Sequence, residues 1–236
     1  MAERRQLLIS CEHGGNRVPP DYDSLFLGQD ELLESHRGYD PGALHLARML
    51  ARELKVPLAK AETTRLLIDL NRSLQSDTLF SEIVAGLDKG EKQQIIEQHY
   101  LPYRTFVTEK VRDFIACGAQ VVHLSVHTFT PSLHGILRNA HLGLLYDPAC
   151  PEEKKFCRNW QGLLKQQLPG RKIRCNYPYR GTADGLVRTL RACFKPQDYL
   201  GLELEVNQAL LEGRKGFSQS LQDGLLRTLQ ELFSTD

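Results

Sequence analysis

Helical and strand patterns alternate along this chain from one end to the other, and that alternation is the strongest constraint on its fold. Residues 6–10 form a short apolar run ending at a glycine-containing turn, residues 11–16, which reads as a buried strand delivering polar residues at its carboxyl end. Residues 41–54 carry Leu44, Ala47, Leu50, Ala51 and Leu54 at helical spacing. With Asp40 as cap and Pro41 in the first turn, a helix is expected to start at Asp40. Residues 56–59 and 66–70 are short apolar segments expected as strands or their approaches. Residues 90–117 hold a long helical pattern interrupted at Pro102, which predicts two helices or one kinked helix. The clearest strand is 120–126, where Val121, Val122, Leu124 and Val126 favour β structure and His127 follows at the end. Further strands are expected at 142–146, 172–175 and 199–206, with helices at 152–167 and 216–233. The economical architecture is a single α/β domain over 1–236, a three-layer α/β/α arrangement whose sites line the carboxyl edge of the sheet.

Charge narrows the function classes. Lys plus Arg number 30 against 29 Asp plus Glu, so a net charge of +1 supplies no field to attract nucleic acid. Residues 1–6 are charged and run into Leu7-Leu8-Ile9, too short a stretch for a signal or a membrane span, so a cytoplasmic protein without membrane contact is expected. The 6 cysteines contain no CxxC pair, which argues against a zinc ribbon or redox motif and predicts reduced, mostly buried thiols.

By position, His13 follows the first strand, Asp40 sits at a helix cap and His127 follows the central strand. Two imidazoles and one carboxylate are the ligand set of a hydrolytic zinc site, which keeps a fourth position for a water whose pKa the ion lowers to about 7. Each residue also has an ordinary reading: Asp40 as a helix cap alone, His13 as a turn residue, His127 as a loop residue satisfied by backbone. Gly14-Gly15 suits a phosphate, yet no GKS/T follows. Glu205 lies on an otherwise apolar strand, where carboxylates are rarely buried unless paired or functional, and Glu203 shares its face and competes for the role. Whichever faces the metal takes a proton from water and delivers it to a leaving nitrogen. Arg65, Arg72 and Arg138 flank apolar segments, and planar guanidinium groups grip carboxylates. Cys11, two residues from His13, is a rival candidate as a thiol nucleophile.

Five ordered strings carry these residues: CEHGGNRVP at 11–19, HRGYDPGA at 36–43, TRLLIDLNR at 64–72, SVHTFTP at 125–131 and ELEVNQ at 203–208. Together they resemble the N-formylglutamate amidohydrolase family. The resemblance implies a zinc amidohydrolase whose fold, built on a central mixed and mostly parallel sheet, is similar to the zinc carboxypeptidases and the N-acetylmuramoyl-L-alanine amidases. It implies His13, Asp40 and His127 as metal ligands, with Glu12 as the alternative acid, and Glu205 as the catalytic carboxylate. Asn71-Arg72 resembles the Asn-Arg pair with which zinc carboxypeptidases hold a substrate carboxylate, and Arg65 and Arg138 add to that clamp. The expected cofactor is Zn2+ or another divalent metal. The expected partner is a small N-acyl amino acid such as N-formylglutamate, its amide cleaved by zinc-activated water. Two features depart from the formylglutamate-specific pattern: CEHGG stands where a PHSG-like string is expected, and residues 176–185 read NYPYRGTADG. The alternative function is a non-catalytic module on the same fold that senses an acyl amino acid or peptide without turning it over.

Overall fold

A computed structural model describes residues 5–213 and 216–234; residues 1–4 of the charged amino-terminal stretch lie outside them. The strands are β1 (Arg5–Cys11), β2 (Leu58–Lys60), β3 (Gln120–Phe129), β4 (Ser132–Leu133), β5 (Ile136–Leu137), β6 (Leu142–Leu145), β7 (Ile173–Cys175), β8 (Tyr199–Asn207), β9 (Leu211–Glu212) and β10 (Gly216–Phe217). The helices are α1 (Asp30–Glu34), α2 (Ala43–Leu54), α3 (Lys89–Ile95), α4 (Leu101–Ala116), α5 (Pro151–Gln167), α6 (Leu186–Cys193) and α7 (Gln219–Ser234). Six strands form one sheet in the order β2-β1-β3-β8-β6-β7. Every neighbouring pair is parallel except β6 with β8. The expected three-layer α/β/α fold with a mixed, mostly parallel sheet is the one observed.

Strand periodicity divides the sheet into two unlike faces. Leu7, Ile9 and Cys11 of β1, Val122, Leu124 and Val126 of β3, and Leu202, Leu204 and Val206 of β8 share one face and pack against α2, α5 and α7. Each such side chain contributes roughly 1.5–3 kcal/mol by leaving water. The other face is covered by α4 and α6 through Leu8, Val107, Val111, Val121, Leu186 and Leu190. Along the middle of that second face runs a buried polar track: Ser10, His123, Ser125, His127 and Glu205. His123 anchors its inner end through Ser10 Oγ and Tyr199 OH, both at 2.7 Å. Burial lowers the His123 pKa to about 4, so this imidazole is neutral. At the outer end His127 and Glu205 are cross-strand neighbours in the β3–β8 register.

Several expected elements differ. The helix expected at Asp40 begins at Ala43, because Gly42 (φ 85°) takes the cap position in a left-handed conformation. Residues 66–70 are not a strand: they form buried turns, with Leu66, Leu67, Ile68 and Leu70 packed into a satellite core beside Tyr100. An apolar run alone does not separate a strand from a buried turn. The pattern over 90–117 resolves into α3, a π-helical turn at Ile96–Tyr100, and α4 in unbroken succession, with Pro102 directly after the π-helical turn, where the regular α-helical bonding is already interrupted. β2 spans 58–60 rather than 56–59, and the closing helix begins at Gln219 because Gly216 and Phe217 pair with β9. All 6 cysteines are free, but only Cys11 and Cys157 are buried, while Cys117 and Cys193 are exposed. No helix of the described residues is long and apolar enough to cross a membrane.

Gly143 on β6 lets the backbone of Tyr177 cross close above the sheet; a Cβ built there overlaps Tyr177 O and touches Glu205 Cβ. Gly143→Ala should therefore cost roughly 1–3 kcal/mol in denaturant unfolding. Gly162→Ala, at an exposed position of α5 with nothing within 4 Å of the new methyl, should instead stabilise by roughly 0.5–1 kcal/mol.

Candidate metal centre and active site

Parallel pairing brings the carboxyl ends of β1, β3 and β8 to one edge, and the loops leaving them supply the candidate site. His13 follows β1, and its carbonyl accepts from the Asp40 backbone N–H at 2.8 Å, tying the loop before α2 to the end of β1. His127 is the eighth residue of β3 rather than the first after it, since the strand continues to Phe129. One ligand atom each from His13, Asp40 and His127 lie within 4.8 Å of one another, all buried.

What orients the imidazoles is a carboxylate behind each one. His13 Nε2 donates to Asp69 Oδ1 at 2.7 Å, leaving Nδ1 as the free lone pair. That Nδ1 is buried, has no hydrogen-bond partner, and lies 3.5 Å from Asp40 Oδ2. His127 Nε2 faces Ser125 Oγ at 2.8 Å and Glu12 Oε2 at 3.1 Å, two oxygens that require it to be protonated. Its Nδ1 points the opposite way, 2.9 Å from Asp40 Oδ2. Both outer nitrogens are thus occupied, and both inner nitrogens converge on one carboxylate. Outer carboxylates of this kind fix the tautomer and raise the basicity of metal-binding histidines. The residues present fit a divalent cation: the orphaned His13 Nδ1 lacks a partner that an ion would provide, and the donor set of two imidazoles and one carboxylate suits zinc.

The outer groups are themselves held. Asp69 Oδ1 also accepts from the Asn71 backbone N–H at 2.9 Å, and Asp69 Oδ2 accepts from Arg65 Nη2 at 2.8 Å. Arg65 Nη1 reaches Asp40 Oδ1 at 3.4 Å. Glu12 accepts from Tyr103 OH at 2.9 Å and from Ser125 Oγ at 2.5 Å. Buried carboxylates at this density require such pairing.

Electrostatics divides the carboxyl groups into two classes. Burial opposes the ionisation of Asp40, but His13 and His127 outweigh it and hold the group well below the usual carboxylate range. Glu12 and Asp69 are held low against the same burial, Glu12 by His127 and Ser125, Asp69 by Arg65 and His13. Burial draws the His127 pKa down, yet its hydrogen bonds to Asp40 and Glu12 carry it well above the ordinary value. Glu205 behaves oppositely: burial, with Asp40 and Glu203 nearby, pushes it up to about 8, and its Oε2 is buried without a hydrogen-bond partner. Glu203 is also raised by burial. The register places Glu205 opposite His127 and Glu203 opposite Ser125, one step deeper.

A cavity of about 160 Å³ opens onto this cluster, lined by His13, Asp40 and His127 together with Glu203 and Glu205. Asn71 and Arg72 line it too: the Asn71 side-chain oxygen accepts from the Leu186 N–H at 2.8 Å, and Arg72 Nη1 donates to the carbonyls of Asn71 (2.9 Å) and Asp184 (3.3 Å). Arg65 reaches the cavity with its guanidinium turned to Asp40 and Asp69. Arg138 lies outside the lining, its guanidinium between the rings of Phe129 (5.9 Å) and Tyr179 (4.9 Å). Glu12, the alternative acidic ligand, stands behind His127 instead of beside Asp40. Cys11 is fully buried on the apolar face, and burial, then Glu12 and Asp40, push its thiol pKa well up, which removes the thiolate a nucleophile needs. The functional neighbours that sequence reasoning missed are Asp69, inside the TRLLIDLNR string, and Ser125, two residues before His127. In each case a polar residue interrupting an apolar run was the available signal.

The N-formylglutamate amidohydrolase family pattern matches residues 5–212. Among solved structures, a gene product of Agrobacterium tumefaciens superposes with a TM-score of 0.80 at 27% identity, over 99% of this chain and 91% of that one. An N-formylglutamate amidohydrolase from Ralstonia eutropha superposes with a TM-score of 0.67 at 19% identity, covering 99% and 94%. A metallo-carboxypeptidase from Burkholderia cenocepacia gives a TM-score of 0.46 at 14% identity, covering 99% and 58%. No curated protein matches the chain.

The hydrogen bonds that raise the His127 pKa favour a proton on Nδ1 facing Asp40 in the cation-free protein. Zinc binding at pH 7 should therefore release about one proton or more per ion. Calorimetric titrations in buffers of different ionisation enthalpy measure this, and release near zero would contradict the assignment.

Proposed function

The chain belongs to the N-formylglutamate amidohydrolase family, hydrolases of carbon–nitrogen amide bonds, and we propose that it cleaves the amide of a small N-acyl amino acid using a divalent cation, zinc in the first instance. His13, Asp40 and His127 would hold that cation. The observation that carries the reading is the convergence of two inward imidazole nitrogens and one carboxylate beside Glu205 in a single cavity. When bound, the cation supplies Lewis acidity that polarises the substrate carbonyl and lowers the pKa of water.

The protein's own part begins with size selection. A cavity of about 160 Å³ falls below the roughly 300–1,000 Å³ of sites for drug-sized ligands, which favours a small acyl amino acid such as N-formylglutamate over a long polymer. Glu205 receives the proton of the attacking water and passes it to the departing nitrogen. Its raised pKa serves both halves of this transfer: the ionised form accepts, and the protonated form is stable enough near neutral pH to donate. Glu203, one step deeper, keeps the surroundings of Glu205 unfavourable to charge. Arg72 presents its remaining Nη2 edge towards a substrate carboxylate, and Asn71 fixes the segment that carries it. Arg65 acts by holding Asp40 and Asp69 ionised, and Arg138 braces the Phe129 and Tyr179 wall. A pure sensor would have no use for an unpartnered carboxylate beside an open ligand cluster, so catalysis is the better-supported reading.

Glu205→Gln should retain zinc while kcat on N-formyl or N-acetyl amino acids falls about 10²–10⁴-fold. His127→Ala should lose both zinc, measured by elemental analysis, and turnover. Because the base must be ionised, kcat/KM should rise with pH along an acid limb. The field of the cation lowers the Glu205 pKa from the value of about 8 that burial gives it, so that limb should lie below pH 8 and vanish in Glu205→Gln.

A further inference from the structure

The segment 176–185, NYPYRGTADG, has no part in the chemistry above, yet Tyr179, Arg180, Ala183 and Asp184 form one wall of the cavity. It is a built wall. Asn176 Oδ1 accepts from the backbone N–H groups of Tyr146 and Gly181, both at 3.1 Å. Arg191 donates from Nη1 to Gly181 O and from Nη2 to Gly201 O, each at 2.6 Å, while its Nε donates to buried Glu153 at 2.8 Å. Asp184 Oδ2 accepts from Ser73 N at 3.0 Å and Ser73 Oγ at 3.2 Å. Gly181 lies so close to the Tyr146 backbone that a Cβ there would overlap it. Between these anchors the chain turns, with Ala183 N donating to Arg180 O at 2.9 Å.

The cations near the cavity differ in how far they are already committed. Arg65 is held by two carboxylates. Arg72 uses Nη1 on two carbonyls and Nε on Thr78 Oγ1 at 3.2 Å. Arg138 is stacked between two rings and donates to Thr130 Oγ1 at 3.4 Å. Arg180 alone among the arginines lining the cavity has no side-chain hydrogen bond or ion pair to any described residue. A guanidinium fork that the fold anchors through its backbone but leaves without an internal partner is suited to an anionic group entering from solution.

We propose that Arg180 is a specificity-determining residue that receives a carboxylate of the substrate, so that the enzyme selects anionic N-acyl amino acids over their neutral counterparts. This rests on the reading of the site as an acyl amino acid hydrolase. Arg180 sets substrate affinity, whereas Glu205 and the ligand cluster set the rate.

The test compares the zinc-loaded wild type with Arg180→Gln and Arg180→Lys on N-formylglutamate, its α-amide and N-formylglutamine. Arg180 is exposed, so neither variant disturbs the core. The expected result for Arg180→Gln is a KM for the acid raised roughly 10–100-fold, the range of a lost charge-assisted contact, with kcat little changed. KM for the analogue lacking the recognised carboxylate should barely move, and Arg180→Lys should recover part of the loss. Equal KM increases on acid and neutral substrates, or no increase on any, would overturn the proposal. If the wild type turns over none of the three, the hydrolase reading fails separately, and calorimetric binding of N-acetylglutamate decides the role of Arg180: weakening of about tenfold or more in Arg180→Gln supports it, and unchanged binding refutes it.

Discussion

A carboxylate behind each of two histidines is the contact on which the rest of this site depends. Asp69 holds Nε2 of His13 at 2.7 Å, and Glu12 with Ser125 holds Nε2 of His127, so both rings present Nδ1 to the same side of Asp40. Were either ring free to flip, the two inner nitrogens would no longer share a focus. The fold supplies these contacts from elements remote in sequence but adjacent in space: Glu12 and His13 leave β1, Asp69 and Arg65 come from the buried turns after β2, and His127 comes from β3. The backbone bond from Asp40 N to His13 O then fixes the third donor against the first.

The cost of assembling so much charge away from water explains the unequal faces of the sheet. The face under α2, α5 and α7 is wholly apolar along the central strands and provides stability. The opposite face carries a polar track in which nearly every group is paired, from the neutral His123 at its inner end to the ion-paired cluster at its outer end. Glu205 and His13 are the exceptions, the carboxyl group with one oxygen unpaired and the imidazole with Nδ1 unpaired. Groups left unpaired among satisfied neighbours are the kind of local cost that proteins retain at functional positions.

Much of this was legible in the sequence, and the parts that were not have physical reasons. Alternating patterns gave the layer architecture, and the β3 run gave its central strand, because a fully buried strand writes its burial into every residue. The cluster His13, Asp40 and His127 was found because each residue stands at the end of a readable element or inside an ordered string. Asp40 was misread as a helix cap, since Asp before Pro is a good cap signal and nothing local announces that Gly42 takes the position instead. Residues 66–70, expected as a strand or its approach, form turns instead, and their burial comes from packing with Phe26, Val84 and Tyr100, contacts that no local period encodes. Helix α6 went unseen as an element: it has only 8 residues, too few for a helical pattern to stand out. The roles of Glu12 and Asp69 depend on side chains meeting from distant parts of the chain: Ser125 lies 113 residues from Glu12, and His13 lies 56 from Asp69.

The central claim is that one divalent cation is held by His13, Asp40 and His127 with no sulfur in its coordination sphere. X-ray absorption spectroscopy at the zinc edge of the stoichiometrically loaded protein tests it directly. Nitrogen and oxygen scatterers alone are expected at about 2.0–2.2 Å, with the multiple-scattering signature of two imidazoles. A sulfur shell near 2.3 Å, or the same spectrum after both histidines are replaced, would contradict it.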